Sequence, residues 1–148
     1  MRMLSELALL ACLASTLFMS GVIAFVQVVH YPLFGEVEAA SFRAYHAAHV
    51  RRTTYVVIVP MVVELVTSLV LVVSPPPGSG RPSAGLGLAA VAVTWLATAM
   101  LSVPLHDRLA GGFDRDAHRT LVSTNGVRLV AWFVHAGVLL AMTARATH

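Results

Sequence analysis

The sequence predicts an all-α protein, a four-helix bundle that is integral to a membrane and forms a single domain over residues 1–148. Two observations predict this fold. Of the 148 residues, 57% are hydrophobic and 11% are charged, and the mean hydropathy of +0.79 is far above that of a soluble domain. Four apolar runs are each long enough, at about 1.5 Å per residue, to cross a hydrocarbon core of about 30 Å. They lie at about residues 4–29, 53–73, 86–103 and 126–144.

The first predicted helix covers residues 4–29. A cleaved signal peptide is the alternative, but the apolar run continues beyond Ser20 for about two turns, which favours a retained helix. His30 lies at the far end of this helix, and Tyr31-Pro32 is predicted to end it.

The second predicted helix is long. Ser41 is its predicted N-cap, so the helix begins outside the membrane and enters it near Thr53. Pro60 is predicted to kink it one turn before Glu64.

One face of this second helix is polar. His46 and His49 are three residues apart and share that face, and Glu64 lies about five turns beyond His46 on the same side. A carboxyl group in an apolar run is costly without a partner. This face is therefore predicted to point into the bundle.

The third helix follows an exposed loop. Residues 74–85 contain three consecutive prolines followed by Gly and Ser, a composition typical of loops. The polar face of the third helix carries Trp95 and His106, and Pro104 is predicted to end the helix.

The fourth helix has Asp114 as its predicted N-cap and, like the second, is predicted to extend beyond the membrane on one side. Its inward face is spaced i, i+3, i+7 and i+10. The residues of this face are Asn125, Arg128, Trp132 and His135.

Arginine counts predict the orientation. Seven arginines fall on the side that holds the connections between helices 1 and 2 and between helices 3 and 4, and three fall on the other side. The first group is Arg43, Arg51, Arg52, Arg108, Arg115, Arg119 and Arg128. The positive-inside rule therefore places both connections in the cytoplasm and both termini outside.

The sequence contains a weak internal repeat, in which matching residues lie 72 positions apart. It aligns Pro32 with Pro104 and His46 with His118. An old duplication of a helical hairpin explains the repeat, and chance agreement at three positions explains it equally well.

Four histidines are predicted to meet at one membrane face, because the ends of helices 1, 2 and 3 bring them there. They are His30, His46, His49 and His106. Neutral imidazole is a common ligand of Fe, Cu and Zn, and helical bundles often house such metals between facing helices. Solvated interfacial histidines are the alternative. His118 and His148 lie outside the cluster, and their removal is expected to leave metal binding unchanged.

Glu64 and His135 lie at a similar predicted depth below the membrane face that carries the histidines, counted from the helical rise. They are predicted to pair, either as a structural contact or with a functional role. Arg128 has two interpretations as well. It is either an interfacial anchor that extends to water or a group that holds a substrate oxygen or carboxylate beside Asn125.

Several function classes are excluded by the sequence. The motifs of nucleotide-driven chemistry, serine hydrolysis and zinc proteolysis are absent, and no basic-aromatic patch indicates nucleic-acid binding. The single cysteine, Cys12, cannot form an intramolecular disulfide.

At the level of motifs, the chain resembles a family of small four-helix bacterial membrane proteins grouped loosely with the anthrone oxygenases. The succession is VVHYPLF, F-x-x-YH-x-x-H, P-x-x-x-E, W-x-x-T with VPLHDRL, and TN-x-x-R-x-x-AW. It covers essentially the whole chain. The motif residues are His30, Tyr31, Pro32, Tyr45, His46, His49, Pro60, Glu64, Pro104, His106, Asn125 and Arg128. Gly126 stands where that family often has Trp.

The functional hypothesis is a multi-pass protein of the bacterial inner membrane that acts as a metal-dependent oxidoreductase or oxygenase on a lipophilic small molecule. The histidine cluster would hold a divalent transition metal on the cytoplasmic side. The expected catalytic residues are Tyr45, Glu64 and Arg128, and the expected substrate contacts are Tyr31, Trp95, Asn125 and Trp132.

A haem-binding electron carrier and a non-catalytic membrane subunit are the alternatives. The haem ligands would be His30 or His46 with His106 or His135. Membrane lipid and a second copy of the chain are the other expected partners.

Overall fold

A computed structural model describes residues 2–146. Within this range the protein is an all-α four-helix bundle without β-strands. The elements in chain order are α1 (Arg2–Phe25), a π turn (Val26–His30), a 3-10 turn (Pro32–Glu36), α2 (Ala39–Val73), α3 (Arg81–Ala97), a second π turn (Thr98–Ser102), α4 (Val103–Ala110) and α5 (Arg115–Ala146).

These elements form four continuous helical segments, Arg2–Glu36, Ala39–Val73, Arg81–Ala110 and Arg115–Ala146, each long and apolar enough to cross a membrane. Large apolar side chains are exposed on all four, for example Leu10, Val59, Leu96 and Val130. Burying apolar surface against water cannot explain such an exterior, whereas lipid solvates it. The predicted fold class is confirmed.

The first and third segments continue further than predicted because each widens into a π turn before a proline. The Tyr31 N–H donates to the Val26 carbonyl, five residues back, and Val103 bonds to Thr98 in the same way. Proline lacks an N–H and its ring clashes with the preceding turn, and a wider turn relieves both problems. The prediction that Pro104 ends the third helix was therefore wrong, and beyond Tyr31 the first segment continues as a 3-10 turn.

The two π turns occupy residues 26–30 and 98–102, which are 72 positions apart. This is the offset that aligns Pro32 with Pro104 in the sequence. The same rare backbone feature at the same register favours duplication over chance.

Two other helix starts differ from prediction. Helix α2 begins at Ala39 after Glu38, so Ser41 lies inside the first turn and is not the N-cap. Helix α3 begins at Arg81 with Pro82 in its first turn, where the missing N–H costs nothing. The loop between α2 and α3 is shorter than predicted for that reason. Pro60 lies inside α2, which is helical on both sides of it.

The start of α5 agrees with prediction. Asp114 Oδ1 accepts the backbone N–H groups of Asp116 and Ala117, both at 3.0 Å. The Ala117 N–H and the Arg108 guanidinium hold the pKa of Asp114 below its usual range. This cap fixes the connection between the third and fourth segments.

Two apolar clusters fill the bundle, with a polar layer between them. One cluster, which includes Met19, Met61 and Trp132, packs near the histidine end, and the other, which includes Cys12 and Leu139, packs near the chain termini. Thr16, Glu64 and His135 lie between the clusters along α1, α2 and α5, and all are buried.

Candidate functional site

The four predicted histidines come together at one end of the bundle. His30 ends the first π turn, His46 and His49 lie on α2, and His106 lies on α4. The ring centroids are 4.7 Å apart for His30 and His49, 5.2 Å for His46 and His106, and 5.4 Å for His49 and His106. Here we call these four residues the histidine cluster.

Within the histidine cluster the ring nitrogens are paired. His30 Nε2 lies 2.7 Å from His49 Nδ1, and His46 Nε2 lies 3.0 Å from His106 Nδ1. The Tyr31 hydroxyl lies 3.0 Å from His106 Nε2. Each His–His contact requires one ring to donate and the other to accept, so neither pair can be doubly protonated.

Phe34, which the sequence reasoning did not single out, supports these rings. It is fully buried, and its ring meets those of His30, His46 and His49 edge-on at 5.0–6.1 Å between centroids. The sequence position of Phe34 could have indicated this role. It lies four residues after His30 and three after Tyr31 in the 3-10 turn, so in a helical segment its ring is close to both.

The nitrogen separations decide how well the histidine cluster fits a metal. Two nitrogens bound tetrahedrally at about 2.0–2.1 Å lie about 3.3 Å apart. The two paired contacts are close to that separation. Among residues 2–146, however, no three His, Cys, Asp or Glu side chains already surround one point as metal ligands would. Binding of one ion by three imidazoles would require rings to turn out of their present pairs.

A cavity of about 180 Å³ lies directly beside the cluster. His49 and His106 line it together with Tyr31 and Arg128, and the hydroxyl groups of Thr98 and Ser102 lie on its wall. Several predicted residues thus share one cavity.

Arg128 is only 6% exposed, which contradicts its interpretation as an interfacial anchor that extends to water. Its Nη1 donates to Ser102 Oγ at 3.4 Å and to Asn125 Oδ1 at 3.3 Å, and its Nε has no hydrogen-bond partner. Its Cζ lies 5.2 Å from the centroid of the Trp132 ring.

Asn125 connects Arg128 to the first segment. Its amide nitrogen donates to Gln27 Oε1 at 2.9 Å, and Gln27 in turn donates to the Val122 carbonyl at 3.1 Å. Asn125 therefore positions Arg128 and does not line the cavity.

Glu64 and His135 meet as predicted, with Glu64 Oε1 2.9 Å from His135 Nδ1 and both side chains at most 1% exposed. The Glu64 carboxyl group accepts two further hydrogen bonds, from the Thr16 hydroxyl to Oε1 at 2.7 Å and from Trp132 Nε1 to Oε2 at 3.0 Å. Trp132 is thus a partner of Glu64. Its ring also contacts Arg128, so the inner polar layer and the cavity are adjacent.

Cys12 lies on the other side of the His135 ring, with its Sγ 3.9 Å from Nε2. The thiol is fully buried and also lies 3.4 Å from Ser68 Oγ.

The predicted catalytic and substrate-contacting residues that do not line the main cavity are Tyr45, Glu64, Trp95, Asn125 and Trp132. Tyr45 lines a separate cavity of about 220 Å³ with His30 and His49. Trp95 packs against the core near the histidine end, and its buried indole N–H has no hydrogen-bond partner. Glu64 also lines none of these cavities.

His118 has a contact that the sequence reasoning missed. Its Nε2–H donates to the Tyr31 carbonyl at 2.7 Å, and its ring stacks on Phe34. It therefore braces the turn that carries Tyr31, although its side chain is not part of the histidine cluster. His148 lies outside the described residues.

Comparisons of the chain with protein-family models, with curated proteins and with solved structures found no match.

Proposed function

We propose that the protein is a membrane-embedded, metal-dependent oxidoreductase that acts on a lipophilic small molecule. The observation that carries the proposal is the convergence of His30, His46, His49 and His106 beside a cavity that also holds Tyr31 and Arg128. Four imidazoles in mutual contact form a nitrogen-rich donor set of the kind that first-row transition metals take.

The gathered imidazoles themselves also favour a metal ion at this place. The clustered imidazoles repel one another when protonated, and burial removes hydration from them. A divalent cation accepts their lone pairs and relieves both costs. Turning His46 and His106 out of their mutual contact would free two nitrogens for one ion, with His49 as the third.

When bound, a redox-active metal such as Fe or Cu would supply one-electron chemistry, and Zn would supply Lewis acidity. The chain's own residues would do the rest. Tyr31, which is hydrogen-bonded to His106 at the cavity wall, would hold a proton there, Arg128 would bind a substrate oxygen, and the half-buried Val57 would help to keep water out.

The haem alternative places an iron between two axial histidines. His46 and His106 are in direct contact, so a macrocycle between them would require the two helices to separate. Because His135 is held by Glu64 in a packed layer, it is poorly placed as an axial ligand. We therefore favour a mononuclear metal over haem, and the non-catalytic subunit stays the third candidate.

Elemental analysis and an absorption spectrum of the detergent-purified protein test the proposal. We expect about one equivalent of Fe, Cu or Zn per chain and no Soret band. A Soret band would establish the haem alternative. If the protein neither retains nor takes up any of these metals under reducing or oxidising conditions, the proposed function is wrong and the non-catalytic subunit is the remaining candidate.

A further inference from the structure

Arg128 is a buried cation without an anion. Its side chain is 94% buried, and among residues 2–146 no carboxylate pairs with it, because the three ion pairs there are Arg2–Glu6, Arg108–Asp114 and His135–Glu64. Its hydrogen bonds go to neutral oxygens at the long end of the range, and Nε has no partner. An uncompensated charge inside a membrane bundle is costly and is retained where it serves a ligand.

The cavity that Arg128 lines has a buried polar end and an exposed apolar end. The buried end is formed by Tyr31, Ser102 and Arg128, each at most 6% exposed. The other end lies between α2 and the third segment, where Val50 and Val103 are 37% and 49% exposed. Both residues lie at the predicted membrane boundary, which the second helix crosses near Thr53 and the third near Val103, so this end opens at the edge of the lipid phase.

We propose that this cavity binds the carboxylate headgroup of a single-chain amphiphile, with the headgroup on Arg128 and the hydrocarbon chain passing between α2 and the third segment into the lipid. A guanidinium offers a planar fork that matches a carboxylate, and the hydroxyl groups of Tyr31 and Ser102 are further donors at the same end.

The charge and size of the cavity select the headgroup. One guanidinium neutralises one negative charge, which suits a carboxylate better than a phosphate dianion. The volume of about 180 Å³ admits the headgroup and the first few methylenes but not a two-chain phospholipid. Exposed Asp107 also lines the opening and disfavours anions that approach from water, so the ligand arrives from the bilayer.

This inference does not rest on the metal. Arg128 and the unpaired charge are features of the chain whether or not the histidine cluster holds an ion. A carboxylate on Arg128 lies in the cavity that His49 and His106 line, so the amphiphile is either the substrate or a lipid that stabilises the site.

The test is binding of radiolabelled dodecanoate to the full chain in phosphatidylcholine nanodiscs, at about pH 8 where free carboxylates are ionised. It is run on untreated and on chelator-treated protein. We expect saturable binding in both, displaced by unlabelled dodecanoate but not by dodecan-1-ol. Arg128→Gln should weaken binding by about 10- to 100-fold, the usual effect of losing a charge-assisted hydrogen-bond partner.

Two further variants keep the test independent of folding. Arg119→Gln changes an exposed arginine on the same helix and should bind like the wild type. Thr54→Phe fills the exposed opening, leaves Arg128 intact and should abolish binding. Displacement by dodecan-1-ol, tighter binding of dodecyl phosphate, or full binding by folded Arg128→Gln would overturn the inference. Dodecanoate binding by a protein that neither retains nor takes up any metal, as opposed to one stripped by the chelator, would leave the inference standing and overturn only the proposed function.

Discussion

Among residues 2–146, Glu64 and His135 form the one ion pair in which both side chains are buried. Because the carboxyl group also accepts hydrogen bonds from Thr16 and Trp132, removing it leaves several buried donors without a partner. Removing only His135 leaves the carboxyl group with the other two. The layer is thus centred on Glu64.

We expect Glu64→Leu and His135→Leu each to destabilise the protein by about 3–5 kcal/mol, the cost of breaking a buried pair. The double variant should cost about 0.5–3 kcal/mol less than the sum of the two single variants. Unfolding titrations in mixed micelles measure all three. The exposed pair Arg2–Glu6 is the matched control and should show coupling below about 0.5 kcal/mol. Strictly additive losses at Glu64 and His135 would mean that they face different neighbours.

A glycine on α3 leaves room for the His135 ring. A Cβ added at Gly87 would lie 3.3 Å from His135 Cδ2 and Nε2, and His135 cannot move away without leaving Glu64. Gly87→Ala should therefore destabilise by about 1–3 kcal/mol. Gly85→Ala, two residues earlier on the same helix with open space around it, should stabilise by up to about 1 kcal/mol. Thermal unfolding compares them, and equal effects would show that the ring is not confined.

At the residue scale, periodicity predicted which residues point inward. Asn125, Arg128, Trp132 and His135 are all buried, because a helical stripe maps directly onto one face. The partners across the bundle could not be read from the sequence. Thr16 and Phe34 belong to the first segment, and their contacts with Glu64 and the histidines depend on how the segments rotate and pack.

At the scale of elements, the π turns set the direction of the residues that follow them. A π turn contains one residue more than an α turn, so each one rotates the following helix by about 100° relative to an uninterrupted α-helix. The turn at Thr98–Ser102 precedes His106, and the turn at Val26–His30 precedes Tyr31. Without them, neither side chain would keep its present direction.

Pro104→Ala restores the missing N–H and should let the second π turn relax towards α-helix. Spin labels at Leu96→Cys and Asp107→Cys, both exposed positions on either side of the turn, should then report a changed distance. Cys12 is fully buried and should stay unlabelled. The control is Pro82→Ala, in the first turn of α3 without a π turn. An unchanged distance in Pro104→Ala would show that packing, and not the proline, maintains the turn.

Helix ends were predicted well where the signal is local and poorly where it is not. Asp114 caps α5 because an aspartate side chain reaches the next two or three N–H groups of its own chain. The prediction at Pro104 was wrong because it assumed the four-residue hydrogen-bond spacing of an α-helix. A local five-residue spacing lets the helix continue past the proline without the clash.

At the scale of the whole molecule, the histidine cluster and most arginines lie at one end of the bundle. Arg43 donates to the Gly111 carbonyl at 2.7 Å, so it ties α2 to the connection that precedes α5. The second and fourth helical segments both begin at this end, because the four segments alternate in direction.

The arginine asymmetry predicts that this end is cytoplasmic and that the C-terminus is outside. A periplasm-active reporter fused after His148 should be active, and a cytoplasm-active reporter should be silent. Fusion in the loop that contains Gly111 should give the opposite pattern. If the two fusions exchange their activities, the histidine cluster faces the periplasm.

The four-helix fold could be predicted almost entirely from composition and run length, because a membrane admits few alternatives for apolar segments of this size. The convergence of His30, His46, His49 and His106 was predictable too, since all four fall at helix ends on one side. The nitrogen pairing was not predictable, because ring orientation depends on Phe34 and Tyr31 across the interface.

Metal content across histidine variants tests the central proposal most directly. Each of His46→Ala, His49→Ala and His106→Ala should lower metal affinity by at least about tenfold, and His30→Ala, whose ring is half-buried, should have a smaller effect. His118→Ala, which loses its bond to the Tyr31 carbonyl and its stacking on Phe34, should keep its metal while unfolding more easily. Retention of full metal by the first three variants, or its loss in His118→Ala alone, would contradict a metal held by the histidine cluster.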